Sequence, residues 1–285
     1  RPEQSSERHN AEGIRMAVIT SELMDIPFAH AYALNAGGQT LVKVGDTSTV
    51  YPLASVTKLL MAWSTLVAVQ RGCISLDDPA GPEGSTIRHL LAHASGLPAE
   101  SRDAQFGVEK RRVYSNAGFE ILGDAVAEAT GTDIGRWIEE SVIEPLGMTT
   151  ADVPGSVARS GRASIDDLLI LGQELLHPTL ISDALSTEAV TPQFPNLAGV
   201  VPGYGRHNPC PWGLGLEIRG TKNPHWTAPD APATTFGHFG VSGSFLWVDR
   251  EHDATAAFLG SQEFGPWHKE QWSQLNAQLQ GLVNA

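Results

Sequence analysis

Strand-like segments at both ends of this chain, with helical segments between them, narrow its fold more than any other feature. Near the start, Arg15 to Leu23, Ala29 to Asn35 and Gln39 to Val44 are short and rich in apolar and β-favouring residues. Gly37 and Gly38 make a turn between the last two. The last third returns to this pattern at Gly213 to Arg219, Thr234 to Phe239, Ser244 to Asp249 and Ala254 to Ser261, before a closing helix from about Trp267 to Val283. Terminal strands that must bury a face share one sheet most economically. The expected fold is α+β: an antiparallel sheet of N- and C-terminal strands, flanked by helices, with a mostly helical insert.

The insert follows from period. From Ser55 to Gln70, Val56, Leu59, Leu60, Trp63, Leu66 and Val67 recur at helical spacing, and Gly72 ends the run. One broad face of this helix is expected to be buried. Further helices are predicted at Thr86 to Ala94, Asn116 to Thr130, Asp133 to Ile143 and Ser164 to Leu176, with Asp133, Ser164 and Ser182 as N-caps. Glycines and prolines are scattered rather than gathered into a linker, and no repeat is visible. A single domain, 1–285, is expected, with its α/β part at about 1–75 and 205–285 and its helical part at about 76–204.

Charge and cysteine usage exclude several classes of function. A net charge of −13 repels a phosphate backbone, and the basic residues form no run longer than Lys110-Arg111-Arg112, so nucleic acid is not an expected partner. No apolar stretch approaches the roughly 18 residues of a membrane span, and Met16 to Thr20 is too brief for a signal sequence. With no signal sequence in the given chain the cytoplasm is slightly favoured, while a start at Arg1 rather than Met leaves the compartment open. Cys73 and Cys210 lie far apart and outside any CxxC arrangement, so two free thiols are expected, with a disulfide as the alternative. Neither a metal nor a cofactor is expected.

Three short motifs carry the chemistry. In Ser55-Val56-Thr57-Lys58, residues three apart on a helix share a face, so hydroxyl and amine can meet near the positive end of the helix dipole. That suits a nucleophile beside its base. Tyr114-Ser115-Asn116 stands just before a helix, and His238-Phe239-Gly240 stands on a strand near the C-terminus. Taken singly, each has a blander reading: a surface lysine near a capping serine, a half-buried aromatic beside an N-cap, a satisfied strand histidine. Together they occur in order, each on the kind of element that penicillin-recognising serine enzymes require.

On these motifs the chain resembles the serine β-lactamase-like and penicillin-binding-protein family, especially its class C branch with the related carboxylesterases. Tyr51 to Lys58, Gly72 to Pro79, Leu90 to Leu97, Tyr114 to Phe119, Glu144 to Met148 and Phe236 to Gly240 are similar to family landmarks and span about residues 40 to 262. The resemblance implies that Ser55 attacks a carbonyl while Lys58 and Tyr114 move protons. It also implies that the amides of Ser55 and Val241 form an oxyanion hole and that Asn116 orients the substrate and Lys58. Either Lys58 or Tyr114 can serve as base, since the ammonium lowers the phenol and burial lowers the lysine.

Two departures bear on the substrate. Where the family has K-T-G, His238 replaces the lysine and Phe239 the threonine ahead of Gly240, which weakens the carboxylate clamp of a β-lactam site. His238 would gain charge in acid, so any β-lactam activity is expected to rise from pH 8 towards 6. The spacings between motifs are also shorter than in class C relatives, implying a more open cleft. The expected function is therefore hydrolysis of small neutral esters or amides through an acyl-enzyme, with weak or no β-lactamase activity. The alternatives are an acyltransferase on the same serine, a sensor that acylates without turnover, and, remotely, a metallohydrolase using the helical pair His89 and His93.

Overall fold

The computed structural model describes residues 17–285. Gly37 and Gly38, at φ 59° and 74°, turn β1 (His30–Ala36) back into β2 (Gln39–Val44). A two-residue strand β3 (Tyr51–Pro52) leads into α1 (Thr57–Gln70), and α2 (Ile87–Leu91), α3 (Asn116–Thr130), α4 (Ile134–Ile138) and α5 (Glu144–Leu146) follow. After β4 (Arg162–Ala163) come α6 (Ile165–Leu176), α7 (Asp183–Ala189) and the hairpin of β5 (Gly199–Val201) with β6 (Gly205–His207). The chain closes with β7 (Glu217–Ile218), β8 (Phe236–Gly240), β9 (Ser244–Asp249), β10 (Ala254–Gly260) and α8 (Pro266–Asn284).

The sheet is six-stranded and antiparallel in the order β2-β1-β10-β9-β8-β7, so strands from both ends of the chain meet at the β1–β10 pair, with Tyr32 opposite Phe258. Side chains alternate across it. Ala31, Ala33, Leu246, Val248, Ala257 and Leu259 face a core shared with α1, α3 and α6. Tyr32, Leu34, Phe245, Trp247 and Phe258 face a second core closed by Trp272, Leu275 and Leu279 of α8. The mixed α/β architecture with an antiparallel sheet agrees with expectation. Yet α1 is buried from Thr57 through Ala68, all round rather than on one face.

Several expected elements differ. Of Arg15 to Leu23, Arg15 and Met16 lie outside the described residues, and the remainder makes one parallel bridge, Ile19 to Val42, before turning away. The strand expected from Gly213 shrinks to β7 because Gly215 is left-handed at φ 85° and packed against Ala62 of α1. The helix expected to Ala94 stops at Leu91, since His93 at φ 54° and Gly96 at φ 84° turn the chain. Ser164 and Ser182 cap α6 and α7 with their side chains, whereas Asp133 stands at the N-cap position of α4 without a side-chain bond. The strands β3 to β6 were not expected. The β3–β4 pair ties the middle of the chain to the approach to Ser55.

Candidate active site

Ser55 sits not in an α-helix but in a 3₁₀ turn, Ala54–Val56, directly before α1. Ala54 is left-handed at φ 44°, a conformation that costs a non-glycine residue on the order of 1–3 kcal/mol and persists only where surroundings impose it. Leu53 N donates to Gly161 O at 2.8 Å and Val56 N to Leu53 O at 3.0 Å. From the turn after β8, Ser242 Oγ donates to Pro52 O at 2.9 Å, and from the start of β9 Ser244 Oγ donates to Leu53 O at 2.8 Å. The end of β8 comes so near that a Cβ on Gly240 would lie 2.5 Å from Leu53 O and 3.0 Å from Ser55 N. Gly240 and Val241 are thereby brought to Ser55, and Ser55 and Val241 line one small cavity.

Tyr114 Oη donates to Ser55 Oγ at 2.6 Å, and Lys58 Nζ stands 3.3 Å from the same oxygen. The amine also donates to Asn116 Oδ1 at 2.5 Å and to Ala158 O at 3.0 Å. Asn116 Nδ2 donates to Glu100 Oε1 at 2.7 Å, which orients the amide with its oxygen towards Lys58. Burial, reinforced by Arg159 and opposed by Glu100 and Glu120, lowers the Lys58 pKa to about 7. Burial raises that of Tyr114 above the usual phenol range, the bond to Ser55 offsetting part of the effect. A neutral amine spends its two N–H groups on Asn116 and Ala158 and has its lone pair left for Ser55 Oγ. The arrangement can therefore take a proton from Ser55 onto Lys58 and supply one from Tyr114.

Sequence reasoning missed the roles of the groups that hold these in place. Ser115, not Asn116, caps α3: its Oγ accepts from Gly118 N at 2.8 Å and donates to Pro98 O at 2.7 Å. His93 accepts from Ser115 N through Nδ1 at 3.1 Å, and its ring lies 4.7 Å from Tyr114, 5.3 Å from Phe119 and 5.2 Å from Trp212. Burial, with Lys58 nearby, keeps His93 well below its usual pKa and hence neutral. Behind the small cavity, Glu217 Oε2 accepts from Lys222 Nζ and lies beside His225 Nε2, both at 2.7 Å, while Oε1 accepts from Trp226 Nε1 at 2.8 Å. Burial alone would raise Glu217, but His225 and Lys222 hold it well below the usual carboxylate range.

The geometry corrects the reading of the third motif. His238 faces Tyr114 and Trp212, with ring centroids 5.8 Å from each, and Nδ1 donates to Phe239 O at 2.7 Å. Burial, then Lys58, lowers its pKa to about 4, so it gains no charge between pH 8 and 6. Phe239 also lines the small cavity at Ser55, and its ring packs into an aromatic cluster with Tyr204 at 5.5 Å and Phe264 at 5.2 Å.

The histidine pair comes apart as well. His89 Nδ1 accepts from Thr86 N at 3.1 Å, and its ring stacks on Phe194 at 4.7 Å, while His93 lies beyond the end of α2 against Tyr114. The two therefore do not share a helical face, and the metal-ligand geometry expected of them is lost. Cys73 is exposed, Cys210 is buried, and both are free. No helix among the described residues is long and apolar enough to cross a membrane.

The family model for Beta-lactamase matches residues 21–280. The crystal structure of a beta-lactamase (Mb2281c) from Mycobacterium bovis is similar at 42% identity and a TM-score of 0.89, covering 91% of this chain and 97% of that one. Penicillin-binding protein 4* of Bacillus subtilis (strain 168) is 26% identical over 180 residues, 52% of this chain and 39% of its own length. Esterase EstB of Burkholderia gladioli is 30% identical over 146 residues, 35% of this chain and 37% of its own length. The alignments span less than half of these two curated relatives. Since the family match runs through both ends of the sheet and the helices between them, the chain belongs to the beta-lactamase family, a family of serine hydrolases with esterase and peptidase members.

Proposed function

We propose that this protein hydrolyses small esters or amides, uncharged around the scissile bond, through an acyl-enzyme on Ser55, and that its β-lactamase activity is weak or absent. The observation that carries the reading is the placement of Ser55 Oγ between Tyr114 Oη at 2.6 Å and Lys58 Nζ at 3.3 Å. Ser55 Oγ attacks the carbonyl carbon while its proton passes to the neutral Lys58 amine. The amides of Ser55 and Val241 receive the oxyanion. Tyr114 then gives its proton to the departing oxygen or nitrogen and regains one from the Lys58 ammonium, so the bond to the leaving group breaks with charge balanced. Water repeats the sequence in reverse and frees Ser55. Asn116 keeps Lys58 aimed.

The neutral His238 and the inward-packed Phe239 support the substrate class, because neither receives a carboxylate next to the reacting carbonyl. Intact mass spectrometry after exposure to activated esters, β-lactams and a fluorophosphonate tests the whole reading. Ester and fluorophosphonate adducts mapped to Ser55 are the expected result. Adducts on another residue, or none from any ester, would sink it.

A further inference from the structure

A cavity of about 650 Å³ opens beside Tyr114 and shares Tyr114 and Pro202 with the small cavity at Ser55. Lys110, Arg111 and Arg206 line it, and no carboxylate does. In a chain with 32 acidic and 19 basic residues, three cations gathered without a counter-charge run against the overall balance. None of the three is in an ion pair among the described residues; Arg111 lies over the Phe106 ring, 4.6 Å from its centroid.

Arg112, the third member of that basic run, has a different task. It is buried, and its guanidinium donates to the carbonyls of Cys210 at 2.9 Å, Ala92 at 2.7 Å, Gln193 at 2.8 Å and Phe194 at 3.1 Å. Its own amide donates to Ala198 O at 2.8 Å, and the next residue, Gly199, approaches it so closely that a Cβ there would lie 2.6 Å from Arg112 O. The loop that carries Lys110 and Arg111 is thus locked to the β5–β6 hairpin that carries Arg206. Burial of one arginine holds together the two backbone segments from which the exposed Lys110, Arg111 and Arg206 reach the cavity.

We infer that this groove is a subsite for an anionic group, a carboxylate or phosphate, carried by the substrate at a distance from the carbonyl that Ser55 attacks; the inference rests on the acyl-enzyme reading proposed above. Neutral esters fill only the cavity at Ser55. Near Ser55, His238 is neutral and Arg159 is paired with Glu100 at 2.7 Å, so an anion finds its unpaired cations in the groove. Guanidinium forks bind carboxylates and phosphates through paired hydrogen bonds.

The test compares kcat/KM for p-nitrophenyl valerate with mono-p-nitrophenyl esters of glutaric, adipic and suberic acids. A second arm compares phenyl butyrate with the butyrate ester of 4-hydroxyphenylacetate, which places the anion on the leaving group. At low salt, at least one anionic series should exceed its neutral counterpart by about tenfold. The charged-to-neutral ratio should fall towards one in Arg206→Ala, in Lys110→Ala and at about 0.5 M salt. Efficient cleavage of the neutral esters with no anionic preference in either arm overturns the subsite and leaves the acyl-enzyme reading standing. If no ester acylates Ser55, that reading fails, and calorimetric binding of adipate still decides the groove. Binding that Arg206→Ala removes supports the groove, and no binding overturns it.

Discussion

Gly240 and Ser55 approach so closely through their backbones that a Cβ on the glycine would stand 3.0 Å from the serine amide nitrogen. Gly240→Ala must push β8 and Val241 away from the 3₁₀ turn. A displacement of about 1 Å at a reacting centre can cost about a hundredfold in rate. The expected result is a loss of that order in kcat for p-nitrophenyl butyrate, in a protein whose circular dichroism is unchanged. A folded Gly240→Ala variant with full kcat would show that the two amides do not act together.

Ser55→Ala should abolish ester hydrolysis. Removing a nucleophilic serine in a well-studied protease costs roughly 10⁶ in rate, whereas one half-buried hydroxyl contributes little to the fold. The thermal midpoint should stay within a few degrees. Retention of more than a tenth of the activity would place the nucleophile elsewhere.

The base is effective as the free amine. With Lys58 lowered to about 7, kcat/KM for a neutral ester should rise about tenfold per pH unit below 7 and level off above it. Tyr114 is raised and keeps its proton, so no falling limb is expected at mildly alkaline pH. Lys58→Arg, which cannot lose its proton, should be nearly inactive throughout. A profile centred near pH 10 in the wild-type protein would mean that burial does not depress the Lys58 amine.

Nitrocefin should be turned over at least ten- to a hundredfold less efficiently than p-nitrophenyl butyrate, the deficit expected from losing one charge-assisted hydrogen bond to the carboxylate. Because His238 titrates near 4, that deficit should hold from pH 8 to 5 and narrow only below. His238→Lys alone should raise the nitrocefin rate. Adding Phe239→Thr should instead cost about 3 kcal/mol of stability, as for other large aromatic deletions in cores, because Phe239 packs among Tyr204, Phe264 and Trp272. Equal kcat/KM for nitrocefin and the ester would refute this account of the third motif.

Much of the fold was legible because period and turn chemistry are local: the β1–β2 hairpin, α3, α6, β9 and β10 lie close to where alternation and capping place them. Ser55, Lys58, Tyr114 and Asn116 were nameable as a group because their spacing within motifs and their order along the chain are visible without coordinates. The Ala158 carbonyl under Lys58 and the Ser244 hydroxyl on Leu53 were not, since each is a contact across 100 residues or more with no periodic trace. His93 was seen, but its spacing from His89 suggested a metal, and only its left-handed backbone turns it towards Tyr114. The strain at Ala54 is likewise imposed by distant neighbours. The packing of Phe239 among Tyr204, Phe264 and Trp272 was not legible, because a motif names a position but not the side chains it meets.

Helix α1, buried from Thr57 through Ala68, lacks a solvent face on which it could stand alone. Its walls come from remote parts of the chain: the sheet joined by β1 and β10, then α3, then the Gly215 turn. A partly folded state missing any of these leaves Lys58 in water with an ordinary amine, so the catalytic base exists only in the finished molecule. Enzyme activity and global unfolding are therefore expected to vanish together along a urea gradient, with no partly ordered yet active species between them.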